Sequence, residues 1–299
     1  MLGAIVGDIV GSVYEFRNHR SKEFELFKQQ CFATDDSIMT LAIAKAVLES
    51  APDHHDLADN AVKYMREVGQ PYPYCGYGGR FMDWMYSDKP KPYNSFGNGA
   101  AMRVSPVAYA AKGLEEAVEM SKAVTAVTHN HPEGIKGAEA TAVCTWLALH
   151  GAGKDRILDV VNSLYYHIDF TIDEIRPTYR FNETCQDTVP QALEAFFEST
   201  DFEDAIRIAI SVGGDSDTLA AITGAVAGAY YGIPGNIAKQ ASSYLDGRLS
   251  NILSAFERKF LCLPLVRLYT ICKSGTLERV FLFCCLHMPE AAGKGGDIP

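Results

Sequence analysis

The sequence predicts an all-α protein, a compact single domain of many helices rather than a four-helix bundle. Apolar residues recur at helical spacing along most of the 299-residue chain, and no sustained alternation of period two is present. Runs of β-branched residues between turn signals are nearly absent as well. Hydrophobic residues make up 47% of the chain and charged residues 21%, which excludes general disorder and permits a sizeable core.

Ten segments carry the helical pattern. The first follows an acidic run that can cap it, and the second places Leu57, Ala61 and Val68 on one face. Stretches rich in Gly, Pro, Asn and Ser, such as residues 69–79 and 89–99, separate the segments, with further breaks at 129–132 and 168–185. The predicted helices cover residues 37–49, 56–68, 100–111, 114–127, 133–150, 154–166, 189–198, 202–211, 217–232 and 237–260.

Two stripes of small residues repeat at intervals of four. They are Gly3, Gly7 and Gly11 near the start of the chain, and Ala220, Gly224, Gly228 and Gly232 further along. In a helix such positions share one face and let a second backbone approach closely. We therefore expect tight helix–helix packing at both stripes, which would also hold neighbouring acidic residues rigidly.

Charge and cysteine usage exclude several classes of protein. The net charge is -10 and no Lys/Arg run stands out, so we expect no general affinity for nucleic acid or for anionic membranes. The apolar run from Leu219 to Ile233 is too short for a membrane span of about 20 residues. The eight cysteines form no C-x-x-C pair, and Met1 to Val13 lacks a basic start, so we expect reduced thiols in the cytoplasm.

Two acidic runs are the most informative feature. Thr34-Asp35-Asp36-Ser37 and Gly213-Gly214-Asp215-Ser216-Asp217-Thr218 each precede a predicted helix. Either run alone is typical of a helix N-cap, although an ordinary cap does not need two glycines. If the fold brings the runs together, four carboxylates repel one another and either take up protons or hold cations. An all-oxygen ligand set favours Mg²⁺ or Mn²⁺ over Zn²⁺.

Other candidate residues surround these runs. Asp8 and Glu15 share one face if residues 7–15 are helical, and a carboxylate on an apolar helix needs a partner. Residues 76–80 and 95–103 are glycine-rich and precede helices, where backbone N–H groups can bind phosphate, although plain turn chemistry explains each alone. His129 and His131 lack further residues at zinc-ligand spacing, so we expect hydrogen bonding rather than zinc.

Taken in order, five segments resemble the ADP-ribosylglycohydrolase family, which includes the dinitrogenase reductase-activating glycohydrolases. The resemblance covers roughly residues 1–255, and residues 189–232 also look like family sequence. We therefore expect a glycohydrolase-like domain at 1–260, followed at 261–299 by an atypical extension, helical at first and then mobile. The segments are GDIVGSVYE at 7–15, TDDS at 34–37, GYG at 76–78, GNGAAMR at 97–103 and GGDSDT at 213–218.

The resemblance implies an all-α fold with two Mg²⁺ or Mn²⁺ ions and an ADP-ribose site. It assigns Glu15 to the catalytic or substrate-gating position, and Asp35 and Asp217 are the further catalytic candidates. Family members often carry an aromatic residue near the position of Phe96, which would suit adenine stacking. The implied metal ligands are Thr34, Asp35, Asp36, Asp215, Asp217 and Thr218. The implied substrate-binding residues are Gly76, Tyr77, Gly78, Ser95, Phe96, Gly97, Asn98, Gly99, Met102 and His129.

The sequence hypothesis is therefore a metal-dependent hydrolase. It would cleave the glycosidic bond at the anomeric carbon of ADP-ribose conjugates, foremost ADP-ribosyl-arginine in protein, with an ADP-ribosylated protein or small molecule as partner. A non-catalytic ADP-ribose binder and a purely structural helical protein stay open as alternatives, as do the linkage, the choice of metal and the oligomeric state. A prenyl-diphosphate synthase fits less well, because that class needs D-D-x-x-D and position 39 is Met.

Overall fold

A computed structural model describes residues 1–261 of the chain, and within that range no β-strand forms. The prediction of an all-α fold is therefore confirmed. The helices are α1 (Leu2–Gly11), α2 (Asp35–Glu49), α3 (Leu57–Gly69), α4 (Gly79–Tyr86), α5 (Gly99–Met102), α6 (Pro106–Ala110), α7 (Leu114–Ala126), α8 (Pro132–Leu149), α9 (Lys154–Leu164), α10 (Ile172–Ile175), α11 (Val189–Glu198), α12 (Phe202–Ser211), α13 (Ser216–Tyr231), α14 (Gly235–Ser242) and α15 (Gly247–Phe260). Except for its first residue, the expected C-terminal extension at 261–299 lies outside the described residues, and the domain boundary stays a prediction.

Two of the predicted helices are broken in the structure. Residues 100–111 form α5 and α6, because Pro106 has no N–H to continue a helix and instead occupies the first turn of α6. Residues 237–260 form α14 and α15. The side chain of Asp246 accepts hydrogen bonds from the N–H groups of Arg248 and Leu249, so it starts a new helix there.

Helices α1 and α13 pack against each other along the two small-residue stripes. A methyl group built at Gly3 would lie 2.1 Å from the carbonyl oxygen of Gly224, and one at Gly7 would lie 1.9 Å from that of Ala220. At Gly11 the nearest atom is the Cα of Asp217, at 2.4 Å. These distances leave no room for a side chain, so the expected close helix–helix packing is confirmed along α1 and α13. Gly232, which the second stripe was expected to include, instead ends α13 with φ +75° and lies outside the helix.

The buried core surrounds this helix pair. α13 contacts α1, α8, α11 and α12, while α2 contacts α1, α3 and α15. Most of α1, α2 and α13 is inaccessible to solvent. The starts of α2 and α13 therefore lie inside the molecule and close to the end of α1. No helix in residues 1–261 is long and apolar enough to cross a membrane.

Candidate active site

The first acidic run is built around Asp8 of α1. The buried Asp8 carboxylate accepts hydrogen bonds from the backbone N–H groups of Thr34, at 3.0 Å, and Ser37, at 3.1 Å. It also accepts from both hydroxyls, with Thr34 Oγ1 at 2.5 Å and Ser37 Oγ in contact. Thr34 in turn caps α2 by accepting from the N–H of Asp36 at 3.3 Å. Asp8 thus fixes the start of α2 and the direction of its acidic residues.

The second acidic run depends on a turn made by its two glycines. Gly213 and Gly214 have φ values of +77° and +74°, a conformation that other residues rarely adopt. The turn is held by Asn18, whose Oδ1 accepts from Gly214 N at 2.5 Å, and by Arg20, which donates to the Val212 carbonyl at 3.0 Å. This turn explains the doubled glycine and sets Asp215 at the N-terminus of α13.

The two runs meet although they are far apart in sequence. Thr218 Oγ1 donates to Asp36 Oδ2 at 3.2 Å. Carboxylate oxygens of Asp8, Asp36 and Asp217 lie within 4.8 Å of one another, and so do those of Glu15, Asp215 and Asp217. Asp217 belongs to both groups and therefore lies at the centre of the cluster.

Burial and mutual repulsion disfavour the ionised forms of these carboxylates. Burial, followed by the charges of neighbouring carboxylates, raises the pKa of Asp36 and Asp217 well above the ordinary value. The same causes raise the pKa of Glu15 to about 8, and Asp217 has the largest effect among the neighbouring charges. No Lys or Arg among residues 1–261 forms a salt bridge with the cluster, so protons or cations must balance the charge.

The cluster fits divalent cations. Asp36 Oδ1 is buried and lacks any hydrogen-bond partner among the described residues, which is costly for a carboxylate unless a cation contacts it. Oxygen-only donors suit Mg²⁺ or Mn²⁺. The Asp8 oxygens already accept four hydrogen bonds, so Asp8 organises the site more than it offers ligands. The assignment of individual ligands, including Thr34 and Thr218, stays a prediction.

Asp35 lies beside the first glycine-rich loop. Its N–H donates to the Cys75 carbonyl at 3.0 Å, and a methyl group at Gly76, which has φ +115°, would lie 2.6 Å from Asp35 Oδ1. Asp35 is outside both close carboxylate groups. The half-buried Tyr77 packs on Phe81 with ring centroids 5.4 Å apart, and Gly78 precedes α4. The GYG loop therefore borders the acidic cluster.

The second glycine-rich loop is joined to the cluster by Asn98. The Asn98 side chain donates to Asp215 Oδ2 at 2.6 Å, and its N–H donates to the Glu183 carbonyl at 2.7 Å. Ser95 Oγ accepts from Gly97 N at 3.1 Å and stabilises the turn. The structure thus places residues 95–99 directly beside the second acidic run.

His129 lies beneath this turn. Methyl groups built at Gly97 and Gly99 would each lie 3.5 Å from His129 Nε2, and the second would lie 3.9 Å from the buried Met102. Phe96 is 40% exposed at the rim and packs on His131 with ring centroids 5.2 Å apart. Eight of the ten predicted substrate-binding residues therefore lie on the two loops. The other two, Met102 and His129, have side chains next to the second loop.

Sequence reasoning missed the residues that hold the second acidic run in place. Asn18 and Arg20 lie in a polar stretch after α1 whose pattern carries no structural signal. Glu183, whose charge contributes to the raised pKa of Glu15, was missed for the same reason. For Asp8 a signal existed, because a carboxylate on an apolar helix needs partners, but the sequence did not identify them.

The fold and the site define a class: an all-helical protein whose buried carboxylates can hold divalent cations beside glycine-rich loops. The family model described as ADP-ribosylglycohydrolase matches residues 1–258. The chain belongs to the ADP-ribosylglycohydrolase family, as the sequence resemblance indicated.

Several known proteins are similar to this chain. ADP-ribosylhydrolase ARH3 of Xenopus tropicalis is 26% identical, with 82% of this chain and 91% of that protein aligned. ADP-ribosylarginine hydrolase Tri1 of Pseudomonas putida is 27% identical over 79% of this chain and 70% of its own length. ADP-ribosyl-[dinitrogen reductase] glycohydrolase of Rhodospirillum rubrum is 26% identical over 78% and 84%. A solved structure named ADP-ribosylglycohydrolase-related protein complex aligns with TM-score 0.60 and 25% identity, covering 86% of this chain and 96% of that one.

Proposed function

We propose that the protein hydrolyses the glycosidic bond at the anomeric carbon of ADP-ribose conjugates. The observation that carries the proposal is the buried cluster in which Asp217 is shared by two groups of carboxylates. Its position beside two glycine-rich loops supports a site for a polar, phosphate-bearing substrate. Water would add to the anomeric carbon as the bond to the leaving nitrogen or oxygen breaks, and the leaving group would take a proton.

Two divalent cations would be held by Asp36, Asp215 and Asp217, with Asp35, Thr34 and Thr218 as further predicted ligands. When bound, such cations orient ribose hydroxyls and lower the pKa of a coordinated water. The protein's part is to fix these carboxylates by means of Asp8 and Asn98 and to exclude bulk water. Carboxylates beside the anomeric carbon also stabilise the positive charge that develops in an oxocarbenium-like transition state.

Glu15 is our candidate for the residue that transfers a proton. It is half-buried at the edge of the cluster, with a carboxylate oxygen within 4.8 Å of those of Asp215 and Asp217. In its protonated form Glu15 can donate to a leaving guanidine or hydroxyl, and in its ionised form it can accept a proton from water. Asp217 and Asp35 are the other candidates for acid or base.

The loops would bind the rest of ADP-ribose. The N–H groups of Gly97 and Asn98 already donate to Ser95 Oγ and to the Glu183 carbonyl. The other N–H groups of residues 76–78 and 97–99, where glycine is frequent, would therefore be the ones to approach the diphosphate. Phe96, exposed at the rim, offers a face on which adenine can stack. Backbone groups and cations thus explain how a chain of net charge -10 could bind an anionic ligand.

We favour ADP-ribosyl-arginine in protein as the substrate. The names of the Tri1 and Rhodospirillum rubrum relatives refer to ADP-ribosylarginine and to dinitrogen reductase, and the ARH3 relative is similar to the same degree. We also favour the cytoplasm as location. Cys31, Cys75, Cys144 and Cys185 are free thiols in the structure, as a reducing compartment requires.

The test is a panel of peptides ADP-ribosylated on arginine or on serine, assayed with Mg²⁺, with Mn²⁺ and with EDTA. We expect metal-dependent release of ADP-ribose, fastest from arginine. Asp217→Ala and Asp35→Ala should lower the rate at least about 100-fold, the lower end of what a positioned acid or base contributes. Asp59→Asn, a change at an exposed carboxylate on α3, is the matched control and should retain full activity.

Three results would contradict the proposal. Release that continues at the same rate in EDTA excludes the cations, and unchanged rates in both alanine variants exclude the cluster. Binding of ADP-ribose by the folded, metal-loaded protein without turnover of any conjugate would identify a non-catalytic binder of the same fold.

A further inference from the structure

Arg103 is a buried cation without an acidic partner. Its side chain is 1% exposed, and no Asp or Glu among the described residues forms a salt bridge with it. Its guanidinium group lies over the Phe81 ring at 5.5 Å, and Nη2 donates to Thr128 Oγ1 at 2.6 Å. Burying an unpaired cation is unfavourable. The presence of Arg103 at this position therefore needs an explanation, and its hydrogen bond to Thr128 suggests one.

The Thr128 hydroxyl links Arg103 to His129. Because arginine can only donate, Thr128 Oγ1 accepts from it and has one proton left to give. That proton has two possible acceptors, the Thr125 carbonyl at 3.3 Å and His129 Nδ1 at 2.7 Å. The Thr125 carbonyl already accepts from the backbone N–H groups of Thr128, at 3.1 Å, and His129, at 2.9 Å. The hydroxyl proton therefore goes to His129 Nδ1.

Arg103 also constrains His129 directly. Its Nη2 lies 3.5 Å from His129 Nδ1, so a proton on Nδ1 would face an arginine donor. We propose that Arg103 and Thr128 hold His129 as the neutral tautomer protonated on Nε2, which makes Nε2–H a hydrogen-bond donor facing residues 97–99. Arg103 and Thr128 are positioning residues, since both would act on a ligand through His129.

The surroundings of Nε2 agree with this assignment. Among residues 1–261 no group hydrogen-bonds to Nε2, whereas the sites of missing methyl groups at Gly97 and Gly99 lie 3.5 Å from it. Glycine at these two positions therefore keeps side chains away from Nε2, where an oxygen acceptor would bind. Burial, with Arg103 and Arg80 nearby, holds the pKa of His129 well below its usual value and keeps the ring neutral. The identification of that acceptor as an oxygen of ADP-ribose rests on the proposed function.

The decisive measurement is the ¹⁵N NMR spectrum of the imidazole rings in histidine-labelled protein at neutral pH. The His129 signals are assigned by their loss in His129→Gln. We expect Nδ1 at the frequency of an unprotonated ring nitrogen and Nε2 at that of a protonated one. The opposite pattern, or a doubly protonated ring, would overturn the proposal, and this reading of the wild-type protein requires no activity.

Two variants test the role of Arg103. Arg103→Met removes the donor and fills the space with an apolar chain, a type of change that buried ions often tolerate. We expect its two His129 resonances to move toward each other as both tautomers become populated. Arg103→Lys keeps a donor and should retain the wild-type pattern. A wild-type pattern in Arg103→Met would show that Arg103 does not set the tautomer.

Titration with ADP-ribose separates this inference from the proposed function. Arg103→Met should weaken binding about 3- to 10-fold, the range for one hydrogen bond, and Arg103→Lys should bind about as the wild type does. Wild-type protein that has the expected tautomer but does not bind ADP-ribose would contradict the proposed function alone. Binding by a protein with Nδ1 protonated would contradict the tautomer alone.

Discussion

At the residue scale, Asp8 and Asp36 show how similar carboxylates in one cluster take different roles. Asp8 accepts hydrogen bonds from two N–H groups and two hydroxyls, which limits the rise in its pKa to about 6 despite complete burial. Asp36 accepts one from Thr218, has an unpartnered buried oxygen, and has a pKa raised well above the usual range. The protein therefore satisfies Asp8 by itself and leaves Asp36 available to a cation.

The first prediction concerns Asp8→Asn. An amide at this position would turn N–H groups toward the donors of Thr34 and Ser37, leaving buried donors unsatisfied. We expect the free energy of unfolding to fall by about 2 kcal/mol. Urea unfolding with and without Mg²⁺ measures both this loss and the weakened stabilisation by metal.

Asp59→Asn, which replaces an exposed carboxylate, is the control and should unfold as the wild type does. An Asp8→Asn protein with wild-type stability and an undiminished response to Mg²⁺ would show that the four hydrogen bonds do not organise the start of α2.

At the element scale, the glycines of α1 determine where and how closely α13 packs against it. The missing side chain at Gly11 leaves room for the Cα of Asp217, the residue common to both carboxylate groups. Toward the other end of α1, Gly3 packs against Gly224 in the same way. The register between the two helices therefore sets the position of the second acidic run.

The second prediction is that Gly7→Ala destabilises the protein. The added methyl group would lie 1.9 Å from the Ala220 carbonyl oxygen, so backbone must move. Overpacking of this kind costs about 1–3 kcal/mol, and we expect the upper part of that range here. Gly235→Ala is the matched control, because its methyl group would meet nothing within 4 Å.

Chemical denaturation of the two variants provides the comparison. Equal stability of Gly7→Ala and wild type would mean that α1 and α13 do not approach as closely as described. Loss of activity at unchanged stability would instead indicate a shift of Asp217 alone.

The elements differ in how far the sequence predicts them. Helical periodicity and the acidic caps located most helices, and the spacing of Gly3, Gly7 and Gly11 predicted close packing correctly. The break at Pro106 was missed because the alanine-rich stretch around it continues the helical pattern. The roles of Asn18, Arg103 and Thr128 could not be predicted, although Arg103 lies in the segment 97–103, because these roles depend on contacts between segments distant in sequence.

At the scale of the whole molecule, the carboxylate cluster couples stability to pH and, under the proposed function, to metal as well. The pKa of Asp8, Asp215 and Glu15 is raised to about 6, about 6 and about 8, above the values near 4 of an unfolded chain. The folded metal-free protein therefore binds more protons than the unfolded chain in this interval. The stability that these groups contribute is present at low pH and is lost as pH rises through their folded pKa values.

The third prediction follows from this loss of stability with rising pH. Without metal, the contribution of the cluster to the midpoint of thermal unfolding should decline from about pH 5 to about pH 8. Added Mg²⁺ should stabilise the protein more at the upper end, where the carboxylates are free of protons. Thermal melts in EDTA and in Mg²⁺ across this range measure the difference.

In the double variant Asp36→Asn, Asp217→Asn, the gain from Mg²⁺ should be small at every pH. If Mg²⁺ raised the wild-type midpoint equally at both ends of the range, the cluster would not be where the cation binds.

The hydrogen bond between Thr218 and Asp36 joins residues 182 positions apart in the chain. A nascent chain emerging from the ribosome has the first acidic run long before the second has been synthesised. If the cluster binds cations as proposed, that affinity would arise late in biosynthesis, once α13 has docked against α1, and uptake of the ion would mark the completion of folding.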